Sequence, residues 1–210
     1  MNTLELAFRE GRIIRRKWSD TDAKGRRLLC LLTALANDPN VRPEICPAHL
    51  CPAWLAYLLP WIDDAGTAER WPGFIERCVQ LAPWWGRMTP KQSRHLDLFT
   101  RKVALLEARQ FVGESTKDID DVLALIARAM SGDEPLPGDW TKARAAAARS
   151  SAARAAARAE IDSLKQRAAA AASSAAWAAD VRVADRMIDA ILTEMERVQA
   201  GGVIHTRSKP

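Results

Sequence analysis

Apolar residues in this chain recur at steps of three and four, the spacing that places them on one face of a helix. Leu4, Ala7, Phe8, Ile13, Ile14 and Trp18 follow it, with an interruption at Gly11. Ser19 or Asp20 is a candidate cap for an apolar helix reaching about Ala36, which Asn37, Asp38 and Pro39 stop. Pro52 suits the first turn of a helix carrying Trp54, Leu55, Tyr57, Leu58 and Leu59, and Pro60 is expected to kink or end it. A turn at Asp63-Asp64-Ala65-Gly66 leads to a short helix from Phe74 to Ala82, closed by Pro83. Thr89-Pro90 opens the next helix, with Leu96, Phe99, Val103 and Leu106 on one face and Gly113 at its end. Ser115 or Thr116 caps another, whose Ile119, Val122, Leu123, Leu125 and Ile126 face inward as far as Gly132. No apolar–polar alternation persists over a strand length, so the expected fold class is all-α.

The last third behaves differently. From Trp140 to Ala200 there is neither glycine nor proline, and much of the stretch is alanine punctuated by arginine and serine. Alanine is the strongest helix former, so the pattern predicts one long helix of about 90 Å, or a helical hairpin. Trp177, Val181, Ala184, Ile188, Ile191, Met195 and Val198 then form a seam at steps of four and three. Such a seam suits a coiled coil, a homodimer or another protein partner; its alternative is to fold back onto the N-terminal helices. The expected organisation is a Trp-rich helical head over residues 1–132, a Pro- and Gly-containing linker over 133–139, the long helix over 140–200 and a flexible tail over 201–210.

Composition refines this picture. Six of the eight tryptophans precede residue 130, so a compact core is expected in the head. The net charge of +5 argues against a mimic of DNA. Arg12, Arg15, Arg16 and Lys17 in the head, and Arg144, Arg149, Arg154 and Arg158 on the Ala-rich helix, are candidate nucleic-acid contacts. Their mixed spacing around the helix equally suits a solvated face. Met1 to Trp18 lacks an uninterrupted apolar stretch, and no run approaches the ~20 residues of a membrane span. A cytoplasmic location with reduced cysteines is therefore expected.

Candidate chemistry is sparse. Cys46, His49 and Cys51 are acceptable zinc ligand types, but C-x2-H-x-C lacks the paired knuckles of a zinc site, and free thiols are the simpler reading. Asp63 and Asp64 are adjacent carboxylates that can divide acid and base roles, yet in a Gly-containing turn they more often cap helices or meet arginine. Trp84-Trp85 is a candidate interaction hot spot, because neighbouring side chains on a helix do not both face one core. No phosphate loop, dinucleotide fingerprint or protease motif is present. No catalytic residue, metal or cofactor is expected.

The segments Trp61-Ile62-Asp63-Asp64-Ala65-Gly66, Ala175-Ala176-Trp177-Ala178-Ala179 and Ala184-Asp185-Arg186-Met187-Ile188-Asp189-Ala190-Ile191 carry a resemblance. The chain resembles uncharacterised bacteriophage and prophage proteins that join a Trp-rich helical head to an Ala/Trp-rich tail. The tail is also similar to the Ala-rich repeats of immunity-like proteins. The resemblance implies mobile-element origin and action by binding, and it carries no catalytic residues across. In that setting the expected function is a non-enzymatic interaction protein, most concretely an inhibitor of a host defence complex such as an anti-CRISPR protein. The alternative is a nucleic-acid-binding module using the two basic clusters.

Overall fold

The structure is a computed structural model that describes residues 3–110, 116–149 and 174–201. The fold is all-α except for one small hairpin among the described residues. Helix α1 (Thr3–Arg9) is followed by strands β1 (Ser19–Thr21) and β2 (Arg27–Leu29), then α2 (Leu31–Ala36) and a 3-10 turn (Pro43–Ile45). Next come α3 (Ala53–Ala65), α4 (Trp71–Trp85), α5 (Pro90–Arg109), α6 (Lys117–Met130), α7 (Pro137–Arg149) and α8 (Ser174–Gln199). No described helix is long and apolar enough to cross a membrane.

The hairpin corrects the expected helix entry at Ser19. Ser19 pairs with Leu29, Asp20 with Leu28 and Thr21 with Arg27, in antiparallel register. Asp22 Oδ1 accepts the backbone N–H groups of Lys24 and Arg26, both at 2.9 Å, and Gly25 takes the left-handed φ of +74° that the turn requires. A side chain that bonds its own local backbone competes with helix formation. The apolar helix is therefore confined to Leu31–Ala36 and ends on Asn37, also left-handed at φ 54°.

Pro60, expected to kink or end its helix, lies inside α3, and Pro83, expected to close its helix, lies inside α4. Each removes one backbone donor. In α3 the apolar face continues past the proline, and the buried Ile62 beyond it offsets that loss. The start of α5 agrees with its sequence signal. Thr89 Oγ1 accepts the Gln92 N–H at 3.2 Å while Gln92 Oε1 accepts the Thr89 N–H at 2.9 Å, a capping box worth about 1 kcal/mol. Its inward face is His95, Leu96 and Leu98, and Leu106 is exposed, so the helix is rotated from the expected face.

One core joins α1 to α5 with the far end of the chain: Leu4, Leu31, Leu32, Leu55, Leu59, Ile62, Ile75, Leu81 and Trp85 are packed together with Ile188, Leu192 and Met195 of α8. A small second cluster of Leu98, Ile126 and Ala129, with Trp140 against it, joins α5, α6 and α7. The stretch 133–139 is thus a short corner, inside which α7 begins. The expectation of a continuous helix from 140 to 200 involves residues 150–173, which lie outside the described residues.

Candidate functional site

The Asp63-Asp64 pair sits at the C-terminal end of α3 and is built into the fold. Asp63 Oδ2 accepts the N–H of Leu31, the first residue of α2, at 3.1 Å, and Oδ1 accepts the indole N–H of Trp71 at 3.1 Å. Asp64 Oδ1 accepts the Arg16 N–H at 2.6 Å, where Arg16 holds a left-handed φ of 61°. Arg15 donates to the carbonyls of Asp63 and Asp64, each at 3.1 Å, and to that of Gly66, and it lies 5.8 Å from the centroid of the Trp71 ring. Burial pushes the Asp63 carboxyl up to about 7, against the opposing pull of the Leu31 and Trp71 donors and of Arg15. Both carboxylates thus join the N-terminal segment and α2 to α3, as in the capping reading.

The C-terminal seam closes on the head. Ile188, Ile191, Met195 and Val198 are all buried in the core, with Ala184 beside them. This corrects their assignment as a free partner surface: the apolar stripe of α8 fills the groove left by α3, α4 and α5. The Trp177 and Val181 side chains lie outside what the structure describes. Polar pairs flank the stripe. Arg77 on α4 reaches Glu196 Oε1 at 2.6 Å, Asp189 Oδ1 at 2.8 Å and Thr193 Oγ1 at 2.9 Å. His95 Nε2 lies 2.6 Å from Glu194 Oε1; a carboxylate only accepts, so the imidazole donates there. Arg197 and then His95 hold the Glu194 carboxyl below its ordinary range, although its own burial acts the other way. Asp185 Oδ1 accepts the Thr67 N–H at 2.9 Å, and Arg186 pairs with Glu107 at 2.9 Å. The sequence reading missed Arg77, His95, Asp185 and Glu194 as a group. Their partners lie roughly a hundred residues away, and the only local signal is a charged residue beside an apolar stripe.

Several members of the N-terminal basic cluster are neutralised locally. Arg12 pairs with Glu10 at 2.5 Å, Lys17 with Asp20 at 2.6 Å, and neighbouring Arg26 with Asp22 at 2.7 Å. Arg15 is directed inward, as described, and Arg16 is tied through its backbone to Asp64. Only the backbone of Arg144 and Arg149 is described, and Arg154 and Arg158 lie outside the described residues.

Trp84 and Trp85 are both buried, which corrects their reading as an exposed hot spot. They occupy the last turn of α4, where core-forming neighbours cover both. Gly86 follows in close contact with the loop before α3: a Cβ at this glycine would lie 1.8 Å from the His49 carbonyl oxygen. Cys46 and Cys51 in that loop are free thiols with their sulfurs 3.7 Å apart. Among the described residues no group of three His, Cys, Asp or Glu side chains is placed to hold a metal ion.

Among the described residues the exposed aromatics are Tyr57, at 38%, and Trp18. Trp18 is 36% exposed, and the Arg42 guanidinium stacks 4.6 Å from its ring centroid. The Trp18 carbonyl accepts from the Cys30 N–H and the Thr33 hydroxyl, both at 3.0 Å, and Arg42 donates to the Val41 carbonyl at 2.7 Å. Ile45, one 3-10 turn beyond Arg42, is 63% exposed. A sequence separation of twenty-four residues hides this pairing from any periodicity argument. Elsewhere, a shallow cavity of about 200 Å³ lies between α5 and the end of α6, lined by Lys91, Arg94, His95, Leu98, Met130 and Glu134. Its Arg94 and Glu134 form an ion pair with each other. No protein-family model matches this chain, and no curated protein or solved structure shows significant similarity to it.

Proposed function

We propose that this chain is a non-enzymatic protein-interaction module of phage or prophage origin. The observation that carries the reading is the exposed Trp18–Arg42 stack. Tryptophan and arginine dominate binding energy at protein interfaces, and a side-chain pair already held in place loses less entropy when a partner docks. The hydrogen bonds to the Trp18 carbonyl and from Arg42 supply that order, and Ile45 adds apolar area nearby. The carboxylate pair is committed to structural bonds, which supports binding rather than turnover. The target class that the sequence resemblance suggests is a host defence complex, inhibited by occlusion in the manner of an anti-CRISPR protein.

The test compares wild type with a Trp18→Ala/Arg42→Ala variant in affinity capture from the source host, with mass spectrometry of what is retained. Loss of one complex from the variant, with helicity unchanged by circular dichroism, is the expected result. Identical captures from both proteins overturn the reading. So does a gel shift on nucleic acid at about 50 mM salt that disappears at about 200 mM, the signature of phosphate binding.

A further inference from the structure

We propose that Cys46 and Cys51 form a dithiol site that a hydroperoxide converts to an intramolecular disulfide. The two residues flank a turn closed by the Leu50 N–H donating to the Pro47 carbonyl at 2.9 Å. That turn folds the chain back, and the Cys46 and Cys51 sulfurs meet in a 3.7 Å contact. A disulfide needs roughly 2.05 Å, so the sulfurs must close by about 1.7 Å, within reach of side-chain rotation. The turn itself is held by the close contact between the His49 carbonyl and Gly86 at the end of α4.

The two thiols differ in access. Cys51 is fully buried and Cys46 is half-buried, so a small oxidant meets Cys46 first. Burial pushes both thiols up, which lowers the thiolate fraction and makes the first attack slow. The Cys46 sulfur attacks the peroxide, the O–O bond breaks, and a sulfenic acid forms with release of an alcohol, or of water from hydrogen peroxide. The Cys51 sulfur then displaces hydroxide from the Cys46 sulfur and its proton leaves with that hydroxide as water. Two thiols lose two electrons in total, and the peroxide gains them. The link closes one residue beyond Ile45, and so fixes the segment that also bears Arg42.

The experiment exposes the intact full-length chain to hydrogen peroxide, quenches it, and alkylates the denatured protein before mass measurement. Wild type is expected to lose two hydrogens and to retain two alkylatable thiols of its four cysteines, with reductant restoring all four. Fragment mapping should place the link between Cys46 and Cys51. Cys46→Ser should abolish it, and Cys30→Ser and Cys78→Ser should each preserve it; the half-buried position of Cys46 lets its serine variant keep its fold. Four free thiols after treatment, a stably oxygenated Cys46 without a link, a link to Cys30 or Cys78, or a disulfide between two chains would each overturn the proposal.

Discussion

At the residue scale, Asp63 shows what a buried carboxylate does when it is committed to structure. Its two oxygens accept one N–H from α2 and one from Trp71, while desolvation opposes its charge and pushes it up to about 7. In the unfolded chain the same group ionises near 3.8. Between those values the folded protein keeps a proton that the unfolded chain has released, so this group's contribution to stability is full below about pH 4 and is lost as pH rises through about 7. The change is on the order of 4 kcal/mol across the window at 1.36 kcal/mol per unit. Asp63→Asn removes the titration and should flatten that part of the profile. Urea midpoints of both proteins at about pH 4.5 and about pH 8 measure it as a difference, in which carboxylates held low, such as Glu194, cancel. Equal slopes for the two proteins would show that Asp63 is ionised throughout. The sequence marked the end of a helix near Gly66, but Asp63, Asp64 and Ala65 are the last residues of α3 rather than the separate turn expected. The partners of the two carboxylates, eight to forty-eight residues away, were not legible, because a carboxylate at a helix end looks the same whether it caps a helix or activates water.

At the element scale, α8 decides between two readings of one amphipathic pattern. A stripe at steps of three and four states that a helix has an apolar partner, and says nothing of which chain supplies it. Here α3, α4 and α5 supply it, with Arg77 and His95 fixing the register through Asp189, Thr193, Glu194 and Glu196. Ile188→Asp with Ile191→Asp would bury two unpaired carboxylates in that groove, at a cost of several kcal/mol. The expected outcome is loss of the cooperative unfolding transition. If circular dichroism and the melting curve are unchanged while light scattering reports a halved mass, the seam is instead a contact between two copies. The hairpin and the two internal prolines were the elements that the sequence concealed. Asp22 and Gly25 act over four residues inside what looked like the entry to the apolar helix, and the burial of Ile62 keeps α3 helical past Pro60.

At the scale of the whole molecule, the interleaved core ties the two ends of the chain together. Dividing the sequence into a Trp-rich head and an Ala-rich extension follows composition, since large side chains concentrate before residue 130. Composition does not register that Ile188, Ile191, Leu192, Met195 and Val198 are a small set at the far end with near-complete burial. Each such side chain contributes about 2 kcal/mol when fully buried, so α8 supplies on the order of 10 kcal/mol of apolar stabilisation. That is comparable to the ~5–15 kcal/mol net stability of an ordinary domain. A chain ended after Arg149 should therefore lose its cooperative melting transition and bind a hydrophobic dye, with much of its helix retained. A synthetic peptide spanning residues 174–201, added in trans, should restore the transition in a concentration-dependent way, because it binds the folded head and not the unfolded chain. If the shortened chain instead melts cooperatively at the wild-type temperature, the head is autonomous and α8 is an accessory helix docked on a finished core. Restoration by the peptide would place the stability of the Trp18–Arg42 face under the control of a helix at the other end of the chain, since both rest on the same buried cluster around Leu31 and Leu32.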